Sequence, residues 1–469
     1  MTNWVPDLTG SGPLYQRLAD AIEADIDRGV IGAGAKLPPQ RDLAYDIGAT
    51  VGTVGRAYQL LRERGLVSGE VGRGTYVLGE NIGVTKPEEP DISVEGTRYA
   101  DAPKDKLRFD STAAPDIGQG AIVADVLSRA AQDHPHEISS YTRDFPDRWY
   151  EAGARWLSRN AFRPAVDTIV PTLGTHAAVM AAIAALTTPG DYVAFEHLTY
   201  SQISRSAGLI GRRTALVASD DEGLDPADFE RVCAQKHPKM IFLMPTAQNP
   251  TLVTLSSARR EAIARVAREY NVILIEDDLY GHLTDDPTPL LAEFAPERTI
   301  IAGGLSKSVA AGLRGGWLSC PPAYRHRIRV AHKMMTGGMP FLLAEVNSRL
   351  VLSGQASEIR RRSIAEISAR MAIVRERLTG FSFKSHDKVP FVWLTLPDPW
   401  LSGTFKNACL EHGVLIDDED EFKAGRSERV FHGVRFGVSQ PRRREDIAGG
   451  VAVIRRLLDE GRAGYDSFS

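Results

Sequence analysis

Thr299-Ile300-Ile301-Ala302-Gly303-Gly304-Leu305-Ser306-Lys307-Ser308-Val309-Ala310-Ala311-Gly312-Leu313-Arg314-Gly315-Gly316 decides how this chain is read. It begins as a buried β-branched strand and breaks at a glycine pair. Ser306-Lys307 follows, and seven positions later comes Arg314, inside a glycine-rich turn. A lysine at the mouth of a strand, partly desolvated, has a lowered pKa and keeps a free amine able to attack an aldehyde. The planar fork of an arginine suits a phosphate. Together the two can hold a phosphorylated aldehyde at both ends. Taken alone, the stretch leaves the plainer alternative open, a surface lysine near a loop arginine.

Outward from it, apolar runs alternate with helical patterns from about residue 107. The clearest are Tyr192-Val193-Ala194-Phe195, Met240-Ile241-Phe242-Leu243-Met244-Pro245 and Val272-Ile273-Leu274-Ile275-Glu276-Asp277. Runs without polar alternation suit strands buried on both faces, hence a largely parallel α/β sheet. Ligands of such sheets collect at the carboxyl ends of the strands. Polar candidates cluster there: Gly174-Thr175-His176 at a helix start, Tyr200, Asn249-Pro250, Asp277 with Tyr280 three residues on, and Arg435 in Gly433-Val434-Arg435-Phe436. A helix start binds phosphate through its N–H groups, and a tyrosine can stack on a flat ring. A carboxylate under a pyridine nitrogen keeps that ring an electron acceptor. Each feature alone has a bland reading as a cap, a packing ring, a turn or a solvated strand end.

The first eighty residues follow another pattern. Leu14, Leu18, Ile22 and Ile26 fall at helical spacing, and Pro38-Pro39 opens a second short helix. Thr50 is placed to cap a third, in which Val54, Ala57, Tyr58 and Leu61 form the core stripe opposite Gly52, Arg56, Gln59 and Glu63. Leu66-Val67-Ser68 and Gly72-Arg73-Gly74-Thr75-Tyr76-Val77 read as a hairpin with Arg73 at its tip. Three helices and a basic-tipped hairpin describe a winged helix-turn-helix. Residues 51–79 carry Arg56, Arg62, Arg64 and Arg73 against Glu63 and Glu70, a balance of +2. A small helical cap that binds nothing is the alternative. Residues 79–106, polar and proline-containing, read as a connector with an end-to-end distance of roughly 30 Å.

The 469 residues suffice for two or more domains and a large core. A net charge of −4 excludes a global basic field, so a nucleic acid must be met by a local patch. Three cysteines without paired spacing fit a reducing compartment and argue against a metal site. With no apolar run near a membrane span and no leader pattern, the expectation is a cytoplasmic protein that meets no membrane.

The head resembles the GntR-type winged helix, on Pro13-Leu14-Tyr15, Lys36-Leu37-Pro38-Pro39-Gln40-Arg41-Asp42-Leu43-Ala44, Gly48-Ala49-Thr50, Arg56-Ala57-Tyr58 and the hairpin. The resemblance implies contacts to double-stranded operator DNA from Arg41, Thr50, Thr53, Arg56 and Arg73. Val51 departs from it, because that family often has arginine there. Residues 107–460 resemble the aspartate-aminotransferase-like, fold-type I pyridoxal 5′-phosphate enzymes, with the motifs in that family's order. The resemblance implies that Lys307 is the lysine of the internal aldimine and that Asp277 pairs with the pyridine nitrogen. Asn249 and Tyr280 hold the ring oxygen, and Tyr200 stacks on the ring. Thr175, His176, Ser306 and Arg314 hold the phosphate, Tyr141 reaches it across a dimer interface, and Arg435 grips a ligand carboxylate or sulfonate. Gly304, where the family usually has a hydroxyl, and Thr142-Arg143-Asp144-Phe145-Pro146-Asp147 after Tyr141 depart from it.

The whole chain resembles the MocR-type regulators. The expected architecture is multidomain: a winged helix-turn-helix (α+β) over 8–78, a linker over 79–106, and an α/β aminotransferase-like domain over 107–469. That domain has a mostly parallel sheet and a smaller C-terminal α+β subdomain. The expected function is a homodimeric transcriptional regulator that senses a small amino compound, or pyridoxal phosphate itself. The rival is a working aminotransferase with an accessory head.

Overall fold

The computed structural model describes Trp4, Pro6, Leu8, residues 12–77 other than Ala33, Gly65 and 71–73, and residues 105–468 other than Arg426 and Glu428. Arg73 and most of the expected connector lie outside the described residues. The chain divides into two compact units, Met1–Ser93 and Val94–Ser469.

The first unit contains helices α1 (Leu14–Asp27), α2 (Gln40–Asp46) and α3 (Val51–Glu63), then strands β1 (Val67–Glu70) and β2 (Gly74–Val77). Leu18, Ile22, Val54, Ala57, Tyr58 and Leu61 close its core, the helical stripes seen in the sequence. The Tyr58 hydroxyl donates to the Pro38 carbonyl at 2.8 Å and so fixes the turn into α2. β1 and β2 pair antiparallel, and the Leu37 N–H donates to the Thr75 carbonyl, which ties the hairpin to the segment before α2. Arg64 turns away from any DNA-facing role: it pairs with Asp20 at 2.7 Å and with Glu23, both on α1.

Thr50 caps α3, its hydroxyl oxygen accepting the Thr53 N–H at 3.2 Å. Without that acceptor one N–H of the first turn returns to water. Thr50→Ala is expected to cost the head about 1 kcal/mol, read as a lower urea midpoint of the head's unfolding transition.

The second unit is built on a seven-stranded sheet in the order Ile169–Thr172, Gly316–Ser319, Thr299–Gly304, Ile273–Asp277, Met240–Leu243, Tyr192–Glu196, Arg213–Val217. Gly316–Ser319 runs antiparallel to both neighbours, and the rest run parallel. The central strands are buried at nearly every position, which is why their sequences show no alternation. A smaller antiparallel sheet, Phe383–Ser385, Phe391–Thr395, Gly433–Gly437 and Asp417–Asp418, shares a buried cluster with the helices Gln355–Arg377 and Arg444–Asp466.

The segment that enters the second unit belongs to this smaller subdomain. Leu107–Arg108 pairs parallel with Val414–Leu415, and the Phe109 N–H donates to the Leu415 carbonyl at 2.8 Å. A Cβ on Gly437 would come within 2.1 Å of the Ser111 carbonyl oxygen, and one on Gly450 within 2.2 Å of the Phe109 ring. Two glycines therefore let residues 109–111 lie tight against the subdomain, and this seat aims Thr112 at the sheet. Among the described residues no helix is long and apolar enough to cross a membrane.

Candidate cofactor site

The chemistry gathers at the carboxyl ends of the central strands. After Thr299–Gly304 the chain turns back at once, the Leu305 N–H donating to the Gly315 carbonyl at 3.0 Å. That turn presents Lys307, half-buried, whose Nζ donates to Thr112 Oγ1 at 2.9 Å. Thr112 Oγ1 lies 2.8 Å from the Tyr280 hydroxyl, and the Lys307 ammonium is 5.8 Å from the centroid of the Tyr280 ring. The amine is thereby aimed by two residues from distant parts of the chain.

Asp277 ends the adjacent strand, and only 2% of its surface is exposed. Burial pushes its carboxyl up to about 7, against the opposing pull of the Leu279 N–H and of Lys307. Its neighbour Asp278 points elsewhere and takes a two-pronged ion pair from Arg159 at 2.8 and 2.9 Å. The acidic pair thus divides its work, Asp278 held in the Arg159 ion pair and Asp277 within electrostatic reach of Lys307. Asn249 Oδ1, after Met240–Leu243, accepts from Arg435 Nη1 at 2.8 Å.

A cradle faces them. The helix Gly174–Leu186 begins at Gly174 in the left-handed region, and a Cβ there would sit 3.6 Å from the Arg314 carbonyl oxygen and 3.9 Å from its guanidinium carbon. Thr175 Oγ1, in the first turn of that helix, is buried without a hydrogen-bond partner. An orphaned hydroxyl at a helix N-terminus beside an arginine is what a phosphate satisfies. Gly304, where the sequence comparison expected a hydroxyl, has no space for one. Its Cβ would come within 2.7 Å of the Gly315 carbonyl oxygen and 3.0 Å of Thr175 Oγ1.

Beside the cradle, burial and then the Arg314 charge lower the pKa of His176, so its ring is held neutral. His176 meets the Tyr200 ring edge-on at 6.2 Å, and the Tyr200 hydroxyl donates to Gln202. Ser306 is half-buried at the foot of Lys307. Tyr141, 91% exposed, shares a surface cavity with Arg143 and Phe341. Arg435, expected to grip a ligand carboxylate, pairs with the chain's own Asp417 carboxylate. In the head, Arg41, Thr50 and Arg56 are exposed and Thr53 half-buried.

Sequence reasoning missed Thr112 and Asp417. Thr112 stands in a short stretch without periodicity, and only the folded contact marks it.

The residues present fit pyridoxal phosphate: a poised amine, a buried carboxylate, and an unsatisfied phosphate cradle. The chain belongs to the aminotransferase class I and II family, whose model matches residues 105–423, and the model of the bacterial regulatory proteins of the gntR family matches residues 14–77. A GntR-type reader joined to an aminotransferase-like, pyridoxal-phosphate domain is the arrangement of the MocR-type regulators.

Across 98% of its length the chain is 28% identical to YdeF of Bacillus subtilis, named as an uncharacterized HTH-type transcriptional regulator, covering 97% of that protein. Across 68% it is 28% identical to the vitamin B6 salvage pathway transcriptional repressor PtsJ of Salmonella typhimurium, covering 70% of it. The second unit has the fold of the α-aminoadipate aminotransferase LysN of Thermus thermophilus. The TM-score is 0.68 and the identity 22%, over 78% of this chain and 94% of that one.

Proposed function

We propose that this chain is a DNA-binding transcriptional regulator whose large domain, loaded with pyridoxal phosphate at Lys307, senses an amino compound or the cofactor itself. One observation carries the reading: the Lys307–Thr112–Tyr280 chain of contacts beside buried Asp277 occurs in the same polypeptide as an exposed, capped reading helix. The relatives that match along the whole chain, including YdcR of Escherichia coli at 28% identity, are named as HTH-type transcriptional regulators.

When bound, the cofactor supplies an aldehyde that condenses with primary amines and a ring that accepts electrons. The chain's own residues have separate tasks. Lys307 provides the competing amine, and Thr112 with Tyr280 orients it. Asp277 would place a negative charge against the ring nitrogen, Asn249 and Tyr280 would bond the ring oxygen, and Tyr200 would cover the ring. Thr175, His176, Ser306 and Arg314 would hold the phosphate, with Tyr141 supplied by the second copy of a homodimer. A ligand shifts the protein only if it binds two settings of the large domain unequally, and about 1.4 kcal/mol of difference gives a tenfold shift. The DNA contacts fall to Arg41, Thr50, Thr53, Arg56 and Arg73.

A gel shift on the protein's own upstream region tests the reading. Binding is expected to weaken steeply with salt. Arg56→Ala is expected to lower affinity about tenfold and, if Arg56 meets a phosphate, to flatten the salt slope by about one. Turnover of an amino donor with a keto acid at about 10 s⁻¹, with no shift of that DNA, would establish the rival catalyst instead.

A further inference from the structure

We propose that Asp417 is an internal carboxylate filling the fork of Arg435, so that the amino compound sensed at Lys307 carries no carboxylate or sulfonate of its own for that arginine. The inference rests on the sensing role proposed above and specifies its ligand class.

Asp417 and Arg435 stand directly opposite each other on neighbouring antiparallel strands, so both side chains leave the same face of the smaller sheet. They form an ion pair through Nη2, with 4% and 1% of their side chains exposed. Two further hydrogen bonds hold the guanidinium. Nη1 donates to Asn249 Oδ1 at 2.8 Å and Nη2 to the Asp110 carbonyl at 3.3 Å. The Phe422 ring lies 4.6 Å away and the Phe391 ring 5.6 Å. Phe391 in turn meets the Tyr280 ring edge-on at 5.2 Å, which ties this arginine to the Lys307 network. The neighbouring Lys406 pairs with Asp418 at 3.1 Å.

A ligand carboxylate arriving here faces two unfavourable outcomes. It can share the guanidinium with Asp417, setting two negative charges side by side in a dry site. Or it can displace Asp417, whose charge then stays buried without its partner. A primary amine with neutral substituents meets neither penalty. The pair therefore selects against amino acids and for amines whose remaining groups are uncharged.

The test uses the full-length protein loaded with pyridoxal phosphate, its visible absorbance titrated with L-alanine and with L-alaninol, which replaces the carboxylate by a hydroxymethyl group. Wild type is expected to respond to alaninol at concentrations at least tenfold lower than to alanine. Asp417→Asn keeps the shape and removes the charge. It is expected to tighten alanine at least tenfold while moving alaninol less than threefold. Should that variant not fold, the wild-type order still decides, because a preference for alanine overturns the inference. So does an alanine affinity indifferent to Asp417→Asn. Absence of any visible band after loading overturns the cofactor reading itself, and so separates the two failures.

Discussion

Lys307→Ala abolishes the visible absorbance change that the full-length protein shows on addition of pyridoxal phosphate, and it does so without unfolding the chain. The amine is half-buried and donates to Thr112 Oγ1 at 2.9 Å. Truncation leaves Thr112 still in contact with the Tyr280 hydroxyl at 2.8 Å. Lys307 also favours the ionised form of Asp277, so the comparison is made at pH 5, where that carboxyl keeps its proton and the stability cost stays within about 1 kcal/mol. Binding is another matter. The cradle of Thr175, Arg314 and the helix start can still take a phosphate, yet only a nucleophilic amine condenses with an aldehyde. Lys307→Arg sharpens the comparison, since it keeps the positive charge near Thr112 and removes the nucleophile. Both variants are expected to retain the wild-type melting temperature without cofactor and to lose the band. Retention of the band in Lys307→Ala would move the covalent role to another lysine and end the assignment made here.

The features that the sequence revealed are those whose chemistry is unusual where it stands. An uninterrupted apolar run such as Met240–Leu243 has no amphipathic reading, so its burial on both faces was legible. So was a lysine directly after such a strand, and an aspartate ending another. What stayed hidden depends on contacts between distant segments. Thr112 gains its meaning only because Gly437 and Gly450 let residues 109–111 press against the smaller subdomain.

The acidic stretch Asp417-Asp418-Glu419-Asp420-Glu421 has the composition of a solvated surface, but Asp417, Glu419 and Glu421 are buried. Asp417 lies in a short strand opposite Arg435, whereas Glu419 lies in the tight turn Glu419–Phe422 and pairs with Lys423 four residues on. A charge count fails for the same reason in the head, where Arg64 is taken up by α1. Gly304 is the converse case. It reads in the sequence as a missing contact, whereas in the fold it is the position where the cradle tolerates no side chain.

Asp277→Asn makes the cofactor-free protein more stable at pH 8 and a poorer binder of pyridoxal phosphate. Burial raises the Asp277 carboxyl from 3.8 to about 7. Below pH 3.8 the folded and unfolded chains both hold this proton. Between there and 7 the unfolded chain releases it while the folded chain keeps it, so the native state binds more protons and stability falls as pH rises. Above 7 the loss is complete, on the order of 4 kcal/mol for a shift of about three pKa units. Glu196 and Glu276, each raised to about 7 by burial, act in the same direction.

An asparagine has no proton to lose and can still accept the Leu279 N–H. The variant is therefore expected to match wild type below about pH 4 in the absence of cofactor, to exceed it modestly at pH 5, where roughly a third of the loss has accrued, and to exceed it clearly at pH 8. Facing a protonated ring nitrogen, the same carboxylate becomes an asset. A hydrogen bond to a charged group contributes about 1.5–3 kcal/mol, so its removal is expected to weaken cofactor binding roughly ten- to a hundredfold. Melting curves at pH 5 and pH 8, with and without pyridoxal phosphate, read both effects in one series. A variant no more stable than wild type at pH 8 would show that Asp277 is not held against its charge by burial. Unchanged cofactor affinity would show that the carboxylate does not meet the ring. The trade between the two follows from a single fact, that the carboxylate is seated where water cannot solvate it and only a bound cation can repay its burial.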